Sequence, residues 1–147
     1  MQIRLANKND AKEIADIIKR HFEEDYMGFA SFGEKYIKEK MKKDKFFVAS
    51  DNGVMGCLRI SFVDIDLAEI RALCVDKEFR KKGIAQMLLD SSIEFMKEKK
   101  MRKIIARTKA DNNDAIRFFE DNEFKHEGYF KEHYRKTIDV VQLYRFL

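Results

Sequence analysis

Apolar positions along the chain follow two spacings, and each change of spacing marks a new element. Gln2 to Ala6 reads as a short strand, after which Ala11, Ile14, Ala15, Ile18 and Phe22 recur every three or four positions, the stripe of an amphipathic helix. Asp10 and Glu13 have the spacing of a capping box at its start. Ser31 and Glu34 repeat that spacing before Tyr36, Ile37 and Met41, which predicts a second helix from near Ser31. Glu23 to Ala30, with Tyr26, Met27, Gly28 and Phe29, is the loop between them.

From Lys45 the spacing changes. Lys45 to Ser50 is an apolar strand, Asp51-Asn52-Gly53 a hairpin turn, and Val54 to Val63 its partner. Leu67 to Val75 is a third strand of this group, bounded by Asp64, Asp66 and Asp76. Beyond Gly83 the residues Ile84, Ala85, Leu88, Leu89, Ser92, Phe95 and Met96 trace one face of a helix. Lys103 to Arg107 is a short strand, Thr108 to Asn113 a polar loop, and Ala115 to Asp121 a helix capped by Asn112 or Asn113. Phe124 to Lys131 and Ile138 to Phe146 close the pattern as strands. The order βααβββαβαββ predicts one α/β domain over residues 1–147 with a mixed sheet.

Composition narrows the classes. The 147 residues include 45% hydrophobic residues, enough for a sizeable core, and no proline, which excludes Pro-rich linkers and collagen-like repeats. Thirty Lys plus Arg against 26 Asp plus Glu leave a net charge of +4, but the two signs are interleaved as on an ordinary solvated surface. A basic cluster of Lys97, Lys99, Lys100, Arg102 and Lys103 is the place where nucleic acid would bind, although lysines at a helix end also suit its dipole. The longest apolar runs are four residues, Phe46 to Ala49 and Ala72 to Val75, against about 20 for a membrane-spanning helix. Met1 to Leu5 has no apolar signal core, so a cytoplasmic protein without membrane contact is expected. Cys57 and Cys74, and the scattered His21, His126 and His133, have neither disulfide nor metal-ligand spacing.

The chemistry-bearing stretch runs from Leu73 to Ala85, a buried strand leading through Arg80-Lys81-Lys82-Gly83 into the long helix. A strand-loop-helix junction presents unpaired backbone N–H groups and the positive end of a helix dipole, which together favour an anion. Gly83 lets the backbone approach a phosphate, and the three basic side chains add positive charge. Neither the P-loop nor the dinucleotide fingerprint is present, which removes nucleoside triphosphates and NAD.

Arg80-x-x-Gly83-x-Ala85 after a Val-Asp strand end resembles the acyl-CoA-binding signature of the GNAT superfamily of N-acetyltransferases. Asn112-x-x-Ala115-x-x-x-Phe119, followed by Phe124, is similar to the family's second element, and the element order matches throughout. The resemblance implies the acyl-CoA N-acyltransferase fold, a mixed and mostly antiparallel sheet of about seven strands with about four helices. It also implies acetyl-CoA as co-substrate and a primary amine, on a peptide or a small molecule, as acceptor. Residue by residue, Leu73, Cys74 and Val75 would pair with the pantetheine arm, and Arg80, Lys81, Lys82, Gly83, Ile84 and Ala85 would hold the pyrophosphate. Asn112 would reach the pantetheine or an ordered water, and Ala115 and Phe119 would lie beside the thioester. The stretch Glu127 to Tyr134 resembles that of protein N-terminal acetyltransferases, the ribosomal-protein alanine branch among them, more than that of antibiotic-modifying branches.

Two positions depart from the family pattern. Phe119 stands where a tyrosine often protonates the departing thiolate, and Glu123 replaces the glycine of a Gly-Phe pair. Tyr26, Tyr129, Tyr134 or solvent are the alternative acids, and a fold that binds CoA without turnover is the competing reading. Glu69, eleven residues before Arg80, has the spacing of the general base in the histone acetyltransferase branch; otherwise it faces solvent or pairs with Arg59 or Arg71. Cys74 has no histidine partner and reads as a buried, inert thiol. The family's acceptor cleft would be walled by residues His21 to Phe32 and Tyr129 to Ile138; their Glu23, Glu24, Asp25 and tyrosines suggest a cationic or peptide amine.

Overall fold

The computed structural model describes residues 1–24 and 33–147, the side chains of residues 22–24 excepted. Seven strands, β1 (Gln2–Leu5), β2 (Lys45–Ser50), β3 (Val54–Asp64), β4 (Leu67–Val75), β5 (Lys103–Lys109), β6 (Lys125–Arg135) and β7 (Ile138–Phe146), form one sheet. Four helices flank it, α1 (Ala11–Glu24), α2 (Glu34–Lys40), α3 (Ile84–Glu98) and α4 (Asn113–Asp121). The sheet order is β1-β2-β3-β4-β5-β7-β6, and of its ladders only β4–β5 is parallel, as the α3 crossover requires.

Period-2 alternation divides the core into two layers. Phe47, Ala49, Leu58, Ile60, Ile104 and Leu143 pack with Leu88, Leu89 and Met96 of α3 and with Phe119 of α4. Their strand neighbours Phe46, Val48 and Cys57 face the other way, onto Ile14, Ile17 and Ile18 of α1 and Ile37 of α2. Each strand of the sheet's centre is therefore covered on both faces, which explains why its sequence is apolar in runs.

Several boundaries differ from expectation, each for a tertiary reason. The capping box lies one turn earlier: Asn7 caps the 3-10 turn Lys8–Asp10, and Asp10 accepts from the Asn7 N–H and from both terminal nitrogens of Arg4. Glu13, expected to complete a box with Asp10, accepts the Val54 N–H at 2.9 Å and ties α1 to the β2–β3 hairpin. α2 starts at Glu34 behind Gly33, which makes no side-chain cap; Ser31 and the loop with Tyr26 lie outside the described residues. β5 runs on through Lys109 and β6 through Arg135, because both pair with β7 beyond the last apolar residue.

Candidate active site

The centre of the molecule is a place where two neighbouring strands part. β4 and β5 pair through Leu67–Lys103, Ala68–Ile104, Glu69–Ile105 and Ile70–Ala106, and no further. On the other side of β4 the register with β3 passes from Ile60–Ile70 to Arg59–Ala72, which leaves Arg71 as an extra residue. Such a bulge bends the strand that carries it. It falls one residue after the last β4–β5 pair, so the strand turns away from β5 from Arg71 onward while Ala72 to Val75 keep their ladder to β3. Gly56 supports that ladder: a Cβ there would sit 2.9 Å from the Cys74 carbonyl oxygen.

The opening is a cleft of about 110 Å³ lined by Ile70 to Cys74 on one side, Arg107, Thr108, Asn112, Ala115 and Phe119 on the other, and His21 of α1. Asp76 donates its N–H to Met55 across the β3 side. Backbone groups alternate along a strand, so Cys74 also turns its N–H to β3, and Leu73 and Val75 turn theirs to the cleft. Of the three residues expected to offer a free strand edge, Leu73 and Val75 do; Cys74 turns its N–H to β3 and packs its side chain beside Cys57 in the α1–α2 layer. That thiol is pushed well up by its hydrogen bond with Cys57 and by burial, which agrees with an inert cysteine.

The loop after β4 is shaped by two left-handed residues, Lys81 at φ 62° and Gly83 at φ 77°. Gly83 is the N-cap of α3; it offers no side chain to cap the first turn, and that turn carries no acidic residue. The N–H groups of Ile84, Ala85 and Gln86 therefore lack intrahelical acceptors at the positive end of a 15-residue helix. Arg80 folds back so that its Nε donates to the Val75 carbonyl at 2.8 Å, and the Lys82 ammonium lies over the Phe79 ring. Arg20 holds Asp76 through two bonds of 3.0 and 2.9 Å, fixing α1 to the end of β4. A reciprocal amide pair between Gln86 and Asn122, at 2.7 and 3.1 Å, fixes α3 to α4 across the loop.

On the far wall Asn112 is the N-cap of α4, its Oδ1 accepting the Ala115 N–H at 3.2 Å. Phe119 is buried edge-to-face against Phe124 at 5.0 Å. Among the alternative acids, Tyr129 donates to Asp139 on an exposed part of β6 and is not in the cleft wall. Tyr134 accepts from Arg107 Nη1 at 2.9 Å, and Arg107 lines the cleft. Tyr26 lies outside the described residues.

Glu69 is buried, not solvent-facing, and its Oε2 receives Arg71 Nε at 2.9 Å. It is absent from the cleft wall and communicates with it through Arg71, which is present. Arg71 Nε also donates to Ser61 Oγ, Ser61 donates to Asp44, and Asp44 receives Arg59 Nε at 2.7 Å. The sequence names Glu69 and its pairing with Arg59 or Arg71, and the ion pair with Arg71 is what the structure has; Arg107, Thr108, Ser61 and Asp44 are not among the residues the sequence points to. For the arginines the one signal is charge inside a buried strand, as at Arg59 between Leu58 and Ile60.

The model of the acetyltransferase (GNAT) family matches residues 12–124. The chain belongs to the GNAT family. It is 30% identical over 129 residues to an uncharacterised N-acetyltransferase of Methanocaldococcus jannaschii, covering 80% of this chain and 57% of that protein. With an uncharacterised N-acetyltransferase of Chlorobaculum tepidum it shares 41% over 64 residues, 43% of this chain and 41% of the relative. The chain thus spans about two fifths to three fifths of the length of these two curated relatives. N-alpha-acetyltransferase 30 of Schizosaccharomyces pombe is 24% identical over 92% of this GNAT chain and 89% of its own length. Among solved structures, ribosomal-protein-alanine N-acetyltransferase of Brucella melitensis superposes with a TM-score of 0.88 at 19% identity, covering all of both chains. An acetyltransferase of Salmonella typhimurium with its cofactor acetyl-CoA gives 0.84 at 18% identity, over 100% of this chain and 94% of the other. These likenesses confirm the seven-stranded, four-helix GNAT fold. No described helix is long and apolar enough to cross a membrane.

Proposed function

We propose that this GNAT protein transfers the acetyl group of acetyl-CoA to a primary amine, with a protein N-terminus as the acceptor class. The observation that carries the reading is the parting of β4 from β5 beyond Ile70 and Ala106, on a strand that leads through a short loop into the uncapped end of α3. The donor set fits the co-substrate: Leu73 and Val75 offer strand-edge groups to an extended amide-bearing arm, and the first turn of α3 offers three N–H groups to phosphate oxygens. Acetyl-CoA brings an activated acyl group, so the protein's share is alignment and proton movement.

The amine nitrogen attacks the thioester carbon, the C–S bond breaks, the acetylated nitrogen loses a proton and the thiolate gains one. An N–H of Leu73 or Val75 is suited to the carbonyl oxygen as charge builds on it. Glu69 receives the amine's proton by way of water beside Arg71. Tyr134, held by Arg107, supplies the proton that Phe119 does not possess. Arg80, Lys81, Lys82, Gly83, Ile84 and Ala85 bind the pyrophosphate, Asn112 and Ala115 border the pantetheine, and Phe119 excludes water from the thioester. The preference for a protein N-terminus rests on two named relatives: N-alpha-acetyltransferase 30, and the bS18-alanine N-acetyltransferase of Escherichia coli, 25% identical over 73% of this chain and 66% of its own. Lysine side chains and small amines are the alternatives.

Thiol release from acetyl-CoA, measured against free N-terminal peptides, lysine peptides and polyamines, tests this directly. Release with the N-terminal peptides is expected. Tight acetyl-CoA binding with no release in any arm would leave a CoA-binding module instead.

A further inference from the structure

A second cavity, about 340 Å³, lies on the α1–α2 side of the sheet and shares Arg71 and Ala72 with the cleft wall. Its charged lining is Lys40, Lys43, Arg59 and Arg71 against the single carboxylate of Asp44. Asp44 is buried and already receives Arg59 Nε and the Ser61 hydroxyl. Both arginines make their polar contacts through Nε, Arg59 on Asp44 and Arg71 on Glu69 and Ser61, and the Arg59 guanidinium also lies over the Tyr36 and Phe46 rings. Their terminal guanidinium nitrogens make no hydrogen bond among the described residues. Lys40 lies over the Tyr36 ring at 5.3 Å, and Lys43 forms no ion pair among the described residues.

Guanidiniums fixed at one nitrogen in a cavity wall, with no hydrogen bond to their terminal nitrogens among the described residues, match the two oxygens of a carboxylate. Fixing them in advance reduces the entropy lost on binding. We infer that the cavity beside Arg71 receives a carboxylate carried by the acceptor amine, so that the acceptor class is acidic. This rests on the acetyl-transfer reading above. It is opposite in sign to the cationic acceptor that Glu23, Glu24 and Asp25 suggest from sequence, and those side chains lie outside the described residues. The carboxylate is either the α-carboxylate of a free amino acid or the side chain of an acidic first residue on a peptide. In both cases it holds its own amine at the wall shared with the thioester cleft.

The test compares kcat/KM in two matched pairs: alanine against alaninamide, and an amidated peptide beginning Asp-Ala-Ala against one beginning Asn-Ala-Ala. The carboxylate member of at least one pair is expected to be favoured about tenfold or more, the worth of one charge-assisted bond. Preference in the first pair alone identifies a free amino acid, and in the second alone an acidic N-terminus. In a Lys40→Glu/Lys43→Glu variant the ratio should fall to about one. Acetylation without discrimination in either pair, or a ratio that survives the charge reversal, overturns the inference and leaves acetyl transfer standing. If no amine releases thiol, the acetyl-transfer reading fails. The cavity is then judged by calorimetric titration of the CoA-loaded protein with N-acetylalanine, the acetylated Asp-Ala-Ala peptide and their carboxamide counterparts. Carboxylate-selective binding supports the cavity's assignment, and equal binding overturns it.

Discussion

The two cavities that meet at Arg71 are built from different materials. The cleft between β4 and β5 and the loop that follows it offer mainly backbone: the parted edge of β4 and, farther along the chain, a left-handed glycine and the open end of a helix. Its neighbour is bounded by charged side chains from α2, the turn after it, β3 and β4. Backbone recognition demands little of the sequence beyond glycine at one position and no competing acid in one turn. Side-chain recognition demands particular residues from four separate places. The first arrangement can persist while sequences drift, and the second is where one family member can differ from another.

The largest expected effect strikes the backbone-built cleft. Gly83→Glu forces a side chain into a left-handed conformation, at about 1–2 kcal/mol, and adds a carboxylate where we propose that the phosphates bind. With the lost charge-assisted bonds, the KM for acetyl-CoA should rise more than a hundredfold. Gly83→Ala separates the contributions, because no atom lies within 4 Å of a Cβ there and only the conformational strain remains. Unchanged affinity in Gly83→Glu would remove the phosphate assignment.

A smaller effect is expected where the cavities join. Glu69→Gln should lower kcat on lysine-like amines about a hundredfold at pH 7, the lower end for a general base, and far less at pH 9.5. The reason lies in the acceptor, since an amine of pKa about 10.4 is almost wholly protonated at neutral pH. Equal losses at both pH values would mean that Glu69 only positions Arg71.

The smallest concerns α1, which borders both cavities through His21 and Ile18. Hydrogen bonds from Arg4 hold the Asp10 carboxyl below its ordinary range, against the opposing effect of burial. A depressed carboxyl stabilises the fold above its unfolded pKa and loses that contribution as pH falls through the folded value. Arg4→Ala should therefore cost about 1–2 kcal/mol at pH 7. In urea titrations the gap from the parent should close below about pH 4. Both cavities should be affected alike; a change in only one would show that α1 is not their common support.

The same contrast governs how much was legible beforehand. The element order and the limits of β2, β4 and β7 follow from periodicity, because these strands are buried in runs or alternate cleanly. The Gly83 loop is legible because a tight left-handed cap leaves a local signature. Asp10 and Glu13 were assigned to each other because sequence spacing does not show Arg4 or Val54, which reach them from other strands. Arg59, Ser61, Arg71 and Asp44 were invisible as a group, since strand pairing, not sequence proximity, gathers them. Glu69 was found, but its partner was decided only by the bulge that lifts Arg71 out of register.

Cys57 and Cys74 stand opposite one another across the β3–β4 ladder, 0% and 2% exposed, and the chain has no other thiol. The molecule thus carries its own clock on the strand that splits. An alkylating reagent can reach either sulfur only during a local opening of that ladder. The labelling rate of the native protein then counts those openings. Any ligand that seats itself along Leu73 to Val75 should slow the labelling of both sulfurs by the same factor.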